Sequence, residues 1–146
     1  MIGAEAVVTP VAPAASAPIA RANDRPPFEV GDRFVGYYYC AQGRTDLTLE
    51  ITALDGDAIV ADFAFDFPGG AGRPPAAGRF VTRGRFDRAK RSLEMQQEIW
   101  IDQPPGYVMV DLVGTLSPSG AYRGSVVGPD CSSFSLQAPP SRPPPK

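Results

Sequence analysis

The sequence predicts an all-β fold: an antiparallel meander of about eight strands forming a small closed or nearly closed barrel, with a β-sandwich as the alternative. Three observations carry that expectation. Short segments between Phe28 and Gln137 alternate apolar and polar residues, turn signals separate them at regular spacing, and no segment sustains a helical period. A meander that pairs its first strand with its last also removes the open edges that invite aggregation.

An opening strand is expected over Asp32 to Ala41. Thr45 to Thr52 follows, with Leu47, Leu49 and Ile51 on one face, and ends at the hairpin signal Asp55-Gly56-Asp57. Ala58 to Phe67 puts Ile59, Ala61, Phe63, Phe65 and Phe67 on one face and Asp62 and Asp66 on the other. Pro68 to Gly78 reads as a mobile loop at one end of the fold. Arg79 to Asp87 carries Phe80 and Phe86 inward, with Arg79, Arg83 and Arg85 outward as expected cross-strand partners of Asp62 and Asp66. After the turn Arg88 to Arg91, the strand Ser92 to Ile101 is expected to bury Leu93, Met95, Ile99 and Ile101. Gln97 interrupts that face, and Trp100 falls on the opposite one. Gln103-Pro104-Pro105-Gly106 ends the strand. Tyr107 to Leu116, Ala121 to Val127 and Cys131 to Leu136 complete the set, separated by Ser117-Pro118-Ser119-Gly120 and Gly128-Pro129-Asp130.

The flanks differ in kind. Residues 1–27 read as a Pro/Ala-rich disordered linker and residues 138–146 as a Pro-rich disordered tail, leaving 28–137 as a single barrel domain. The start of the chain lacks the basic and continuous apolar regions of a signal peptide. Either the chain is cytoplasmic, or a signal has been removed from it.

Composition removes several functions. A formal net charge of −2 with interspersed signs gives no basic patch for nucleic acid. No run reaches the roughly 18 apolar residues of a membrane span. The chain has no histidine, so Ser-His-Asp and Cys-His nucleophile systems and His-ligated metals are out. Two cysteines without histidine make a poor zinc cage, so no metal is expected. The Gly-rich run Pro68-Gly69-Gly70-Ala71-Gly72 opens no helix and carries no Lys-Ser/Thr, so it is not a phosphate loop, and no cofactor is expected. The carboxylate pairs Glu94/Glu98 and Asp62/Asp66 share strand faces, but on the side expected to meet solvent. No catalytic residue is assigned, and the chain is read as not an enzyme.

Two sets of residues stand out. Cys40 and Cys131 bracket the patterned region, and strands at the two ends of a closed meander are neighbours. A disulfide between them is the favoured reading; two free buried thiols in a cytosolic chain are the other. The aromatics Tyr37, Tyr38, Tyr39, Trp100, Tyr107 and Tyr122 combine flat rings with polar tips. Tyr37, Tyr39, Trp100, Tyr107 and Tyr122 are taken as the candidate ligand-binding set, with core packing as the alternative.

The spacing Gly36-x-Tyr38-x-Cys40-x-Gln42-Gly43-x-Thr45-x-Leu47-x-Leu49-x-Ile51 recurs with Trp100-Ile101-x-x-Pro104-x-Gly106-Tyr107-x-x-Val110-x-Leu112-x-Gly114 and Gly124-x-Val126-x-Gly128-x-x-Cys131-x-x-Phe134-x-Leu136. Together these resemble a small bacterial all-β domain that occurs alone behind secretion signals or appended to other domains, caspase-like peptidase domains among them. The resemblance spans Phe34 to Leu136. It implies a periplasmic or secreted location and the two-cysteine pattern, and it implies no catalytic residues. The functional expectation is a non-catalytic exported binding or accessory domain for a glycan, a cell-envelope component or a protein surface. The alternative is a lipocalin- or avidin-like carrier of a small hydrophobic ligand inside the barrel.

Overall fold

Alternating strands that each bury one face close into a continuous wall. A computed structural model describes residues 27–138. The expected linker and tail, save Pro27 and Ala138, lie outside the described residues. Eight strands form the wall: β1 (Arg33–Cys40), β2 (Gly43–Asp55), β3 (Ala58–Phe67), β4 (Ala76–Asp87), β5 (Ser92–Asp102), β6 (Asp111–Leu116), β7 (Ala121–Val127) and β8 (Ser133–Gln137). Each pairs antiparallel with the next, and β8 pairs with β1 to close the barrel. Gly36 permits that closure, because a Cβ there would drive into the Ser135 carbonyl of β8.

The inner faces follow the alternation. Leu47, Leu49, Ile51, Ile59, Phe63, Phe65, Phe80, Phe86, Leu93, Met95, Tyr122, Phe134 and Leu136 are all buried. Phe63 stacks on Phe80 at 4.3 Å between centroids, and Tyr38 meets Phe63 edge-on at 5.4 Å. Tyr122 meets Phe134 at 4.7 Å. These rings fill the space that an eight-stranded barrel encloses. Tyr122 also donates its hydroxyl to the Leu93 carbonyl across the interior at 2.8 Å. Removing that hydroxyl in Tyr122→Phe is expected to cost roughly 1–2 kcal/mol in urea unfolding, since the carbonyl gains no replacement donor. An unchanged midpoint would show that the bond contributes nothing.

The faces depart from expectation on β5. Opposite β4, the register shifts between Val81 and Thr82 and again between Arg79 and Phe80, leaving Glu98 and Ile101 as extra residues. The first bulge reverses the alternation. Trp100 therefore turns inward, 5.3 Å from the Phe80 ring and 6.2 Å from Phe65. Ile99 and Ile101, expected inside, are 61% and 46% exposed. The expected charge pairs also change. Asp62 lies opposite Val81 and Asp66 opposite Ala77, whereas Arg83 binds the exposed Glu98 carboxylate on β5. Such an exposed pair is worth little.

The segment Tyr107 to Val110 is likewise not a strand. β5 and β6 pair only over Ser92–Met95 and Leu112–Thr115. The Pro68–Gly78 stretch, expected as a mobile loop, is mostly ordered hairpin. β3 and β4 pair as far as Phe67 and Ala76, and Gly70 and Arg73 exchange two backbone hydrogen bonds. Ala71 (φ 51°) and Gly72 (φ 79°) form the turn between them, the left-handed pair that matches strand twist.

The two ends of the barrel are built differently. At one end lie the short β2–β3, β4–β5 and β6–β7 turns. They are tied together by Arg88 to Asp57 at 2.9 Å and by Arg91 Nε to the Leu116 carbonyl at 2.7 Å. Phe28 plugs this end, 5.4 Å from the Phe86 ring and 5.9 Å from Phe34. Backbone bonds between Gly31 and Ile51 and between Ile51 and Asp32 hold the entering chain in place. The other end carries the β1–β2, β3–β4, β5–β6 and β7–β8 connections, and it stays partly open.

Candidate functional site

The open end is where side-chain chemistry converges. In β1, Phe34, Gly36, Tyr38 and Cys40 share the inner face by alternation. Cys40 ends the strand and bonds Cys131, with Cα atoms 3.8 Å apart. The adjacent Ser132 amide donates to the Tyr39 carbonyl at 3.0 Å. The disulfide thus clasps the last turn of the barrel to the first strand, at the rim.

Beside it lies a cleft of about 220 Å³. The Tyr38 side chain, the Gln42 amide, Arg73, Tyr107, Asp130 and the disulfide line it, together with Val108 and Val110. Four of these arrive from four different connections: Gln42 from β1–β2, Arg73 from the β3–β4 turn, Tyr107 from β5–β6, and Asp130 from β7–β8. Gln42 is oriented by its hydrogen bond to Thr45 Oγ1 at 2.8 Å. Tyr107 stacks on Phe65 at 5.3 Å with ring planes 25° apart.

Burial pushes the Tyr38 hydroxyl well above the ordinary tyrosine range; its hydrogen bond with Gln42 opposes that shift and the proximity of Tyr107 adds to it. Burial does the same to Tyr122, reinforced by the Glu94 charge. Both remain neutral donors at physiological pH. The sign for stability follows. Unfolded tyrosine releases its proton near pH 10, while these two hold theirs in the fold, so the unfolded state binds fewer protons above that pH. These two tyrosines are expected to leave stability unchanged below about pH 9 and to lower it progressively above about pH 10, as the unfolded state releases protons that the fold retains. A denaturation midpoint that stays level from about pH 9 to pH 11 would contradict this.

The candidate ligand set divides into three. Tyr107 lies in the cleft. Tyr37 and Tyr39 sit on the outer face of β1, edge-to-face at 5.7 Å, with the Arg44 guanidinium 4.0 Å above the Tyr37 ring. Trp100 lies below the cleft among Phe65 and Phe80, and Tyr122 is buried in the interior. Neither Trp100 nor Tyr122 joins Tyr107 at the cleft surface. The polar cleft residues Tyr38, Gln42, Arg73 and Asp130 are absent from that set. Alternation from Phe34 places Tyr38 inward and was the one available signal. Arg73 and Asp130 sit in turns whose meeting only the closed topology dictates. Glu94 and Glu98 are exposed on the outer wall. Among the described residues no three acidic or cysteine side chains are arranged to hold a metal ion.

Comparison with known protein families, curated proteins and solved structures finds no match for this chain. The chemistry of the cleft carries the functional reading.

Proposed function

We propose that this chain is a non-catalytic exported binding domain that takes one sugar unit of a glycan or cell-envelope polymer at the open end of its barrel. The observation that carries this reading is the cleft of about 220 Å³ that brings an aromatic face, a neutral phenol, an amide and a guanidinium together. Sugar rings present apolar C–H faces and ringed hydroxyls, which such a mixture satisfies. The volume sits below the usual drug-sized range, so it suits one ring, not a chain. The disulfide supports export, because cross-links of this kind persist in oxidising compartments. The two-cysteine resemblance points the same way. A carrier holding its ligand within the barrel is less favoured, because aromatic side chains occupy that space.

The test is a glycan array that includes peptidoglycan fragments, probed with wild-type protein, Tyr107→Ala and Arg73→Ala. Saturable binding that drops at least tenfold in both variants is the expected outcome. Binding unaffected by either change would move the site elsewhere, with the outer Tyr37/Tyr39 face next in line. Hydrolysis of a bound glycan would end the non-catalytic reading.

A further inference from the structure

The wall segment that carries Tyr107 is a strap, not a strand. Among the described residues, no backbone hydrogen bond joins residues 103–110 to residues 96–102 of β5. Gln97 bridges the gap instead: its Nε2 donates to the Met109 carbonyl at 3.2 Å and its backbone amide donates to Asp111 Oδ1 at 2.8 Å, while within the strap Gln103 Nε2 donates to the Tyr107 carbonyl at 3.1 Å. The only backbone bond within the strap runs from the Tyr107 amide to the Pro104 carbonyl at 3.3 Å.

Its ends, by contrast, are seated. Gly78 leaves the room that Pro104 fills, since a Cβ there would lie 2.6 Å from the proline ring. Gly128 does the same for Val110, at 2.7 Å. Val110 is buried, whereas Val108 is 59% exposed. Gly106, at φ +81°, provides a pivot between the seated Pro104 and Tyr107. A segment fixed at both ends, tied to β5 in its middle by the exposed Gln97 side chain and braced within itself by Gln103, is the part of a barrel wall that opens at low cost.

Beneath the strap lies an aromatic floor. Phe65 receives the Tyr107 ring from above and meets Trp100 and Tyr38 at its sides, at 6.2 and 6.5 Å. We infer that Tyr107 is the resident occupant of a second, deeper site, and that lifting the strap lets a small planar apolar ring take its place on Phe65. This goes beyond the sugar cleft above: the deeper site excludes Tyr107, whereas the cleft uses it. A niche of apolar side chains vacated by an aromatic ring accepts another such ring readily, because water gains few partners there.

The probe is p-cresol, the tyrosine side chain as a free molecule. Trp100 is the only tryptophan, so its fluorescence reports the floor directly. Wild type is expected to bind p-cresol weakly, Gln97→Ala/Gln103→Ala several-fold more tightly because the strap opens more often, and Tyr107→Ala at least tenfold more tightly because the competitor is gone. Amide exchange at Val108 and Met109 should be faster than at Leu112 in β6. Any other affinity order, or no response of Trp100 in any variant, overturns the proposal. If Tyr107→Ala fails to fold, the double glutamine variant against wild type decides. Tyr107→Ala should weaken sugar binding at least tenfold yet strengthen p-cresol binding, so failure of either reading leaves the other standing on its own result.

Discussion

Replacing Cys40 and Cys131 together by alanine is expected to lower unfolding free energy by roughly 2–5 kcal/mol. The bond spans 91 residues of sequence. Loop-closure entropy for a loop of that size comes to about 4.6 kcal/mol, removed from the unfolded state. Set against a typical total of about 5–15 kcal/mol, that is a large share. The barrel itself should persist, because β1 and β8 remain paired from Val35 to Tyr38 without it. The effect should therefore appear as a lower urea midpoint with a native circular dichroism spectrum. Denatured, non-reduced wild-type protein should titrate no free thiol. Two free thiols, or a double variant as stable as wild type, would remove both the clasp and the physical support for export.

Phe28→Ala is expected to cost about 3–5 kcal/mol, toward the lower figure if water enters the vacated end. Phe28 is 3% exposed and contacts the Phe34 and Phe86 rings, so truncation opens a hole against two core aromatics. The Gly31–Ile51 and Ile51–Asp32 bonds should then fray, which amide exchange would register at Gly31 and Ile51. A loss under about 1 kcal/mol would mean that the short turns close this end without the plug.

Most of the wall was legible because a strand has a period of two. Leu47, Leu49 and Ile51, then Ile59 to Phe67, needed only alternation to be placed inside, and they are inside. The same rule failed on β5. There Glu98 and Ile101 are extra residues against β4, and a single bulge sends every later side chain to the other face. Gln97, which broke the apolar pattern, was the visible trace of it. Phe28 was illegible for another reason: one apolar residue beside prolines has no period to read.

The site was legible only in part. Tyr107 was named among candidates, but so were Tyr37 and Tyr39 on the outer wall and Trp100 and Tyr122 beneath it. Amphipathic rings look alike in a sequence whether they face solvent, a cleft or a core. Gln42, Arg73 and Asp130 carry no pattern of their own, because each comes from a separate turn.

The amino-acid sequence by itself determined the strand order and most inward faces, and it favoured a bond between the two cysteines. Those depend on local alternation, on turn residues and on the neighbourhood of first and last strands in any closed meander. Only the tertiary structure decided which end is open, which turns meet over it, and that Tyr107 rests on Phe65. Those contacts join residues far apart in the chain, and the bulges and glycine gaps that permit them take meaning only from the strand or side chain opposite.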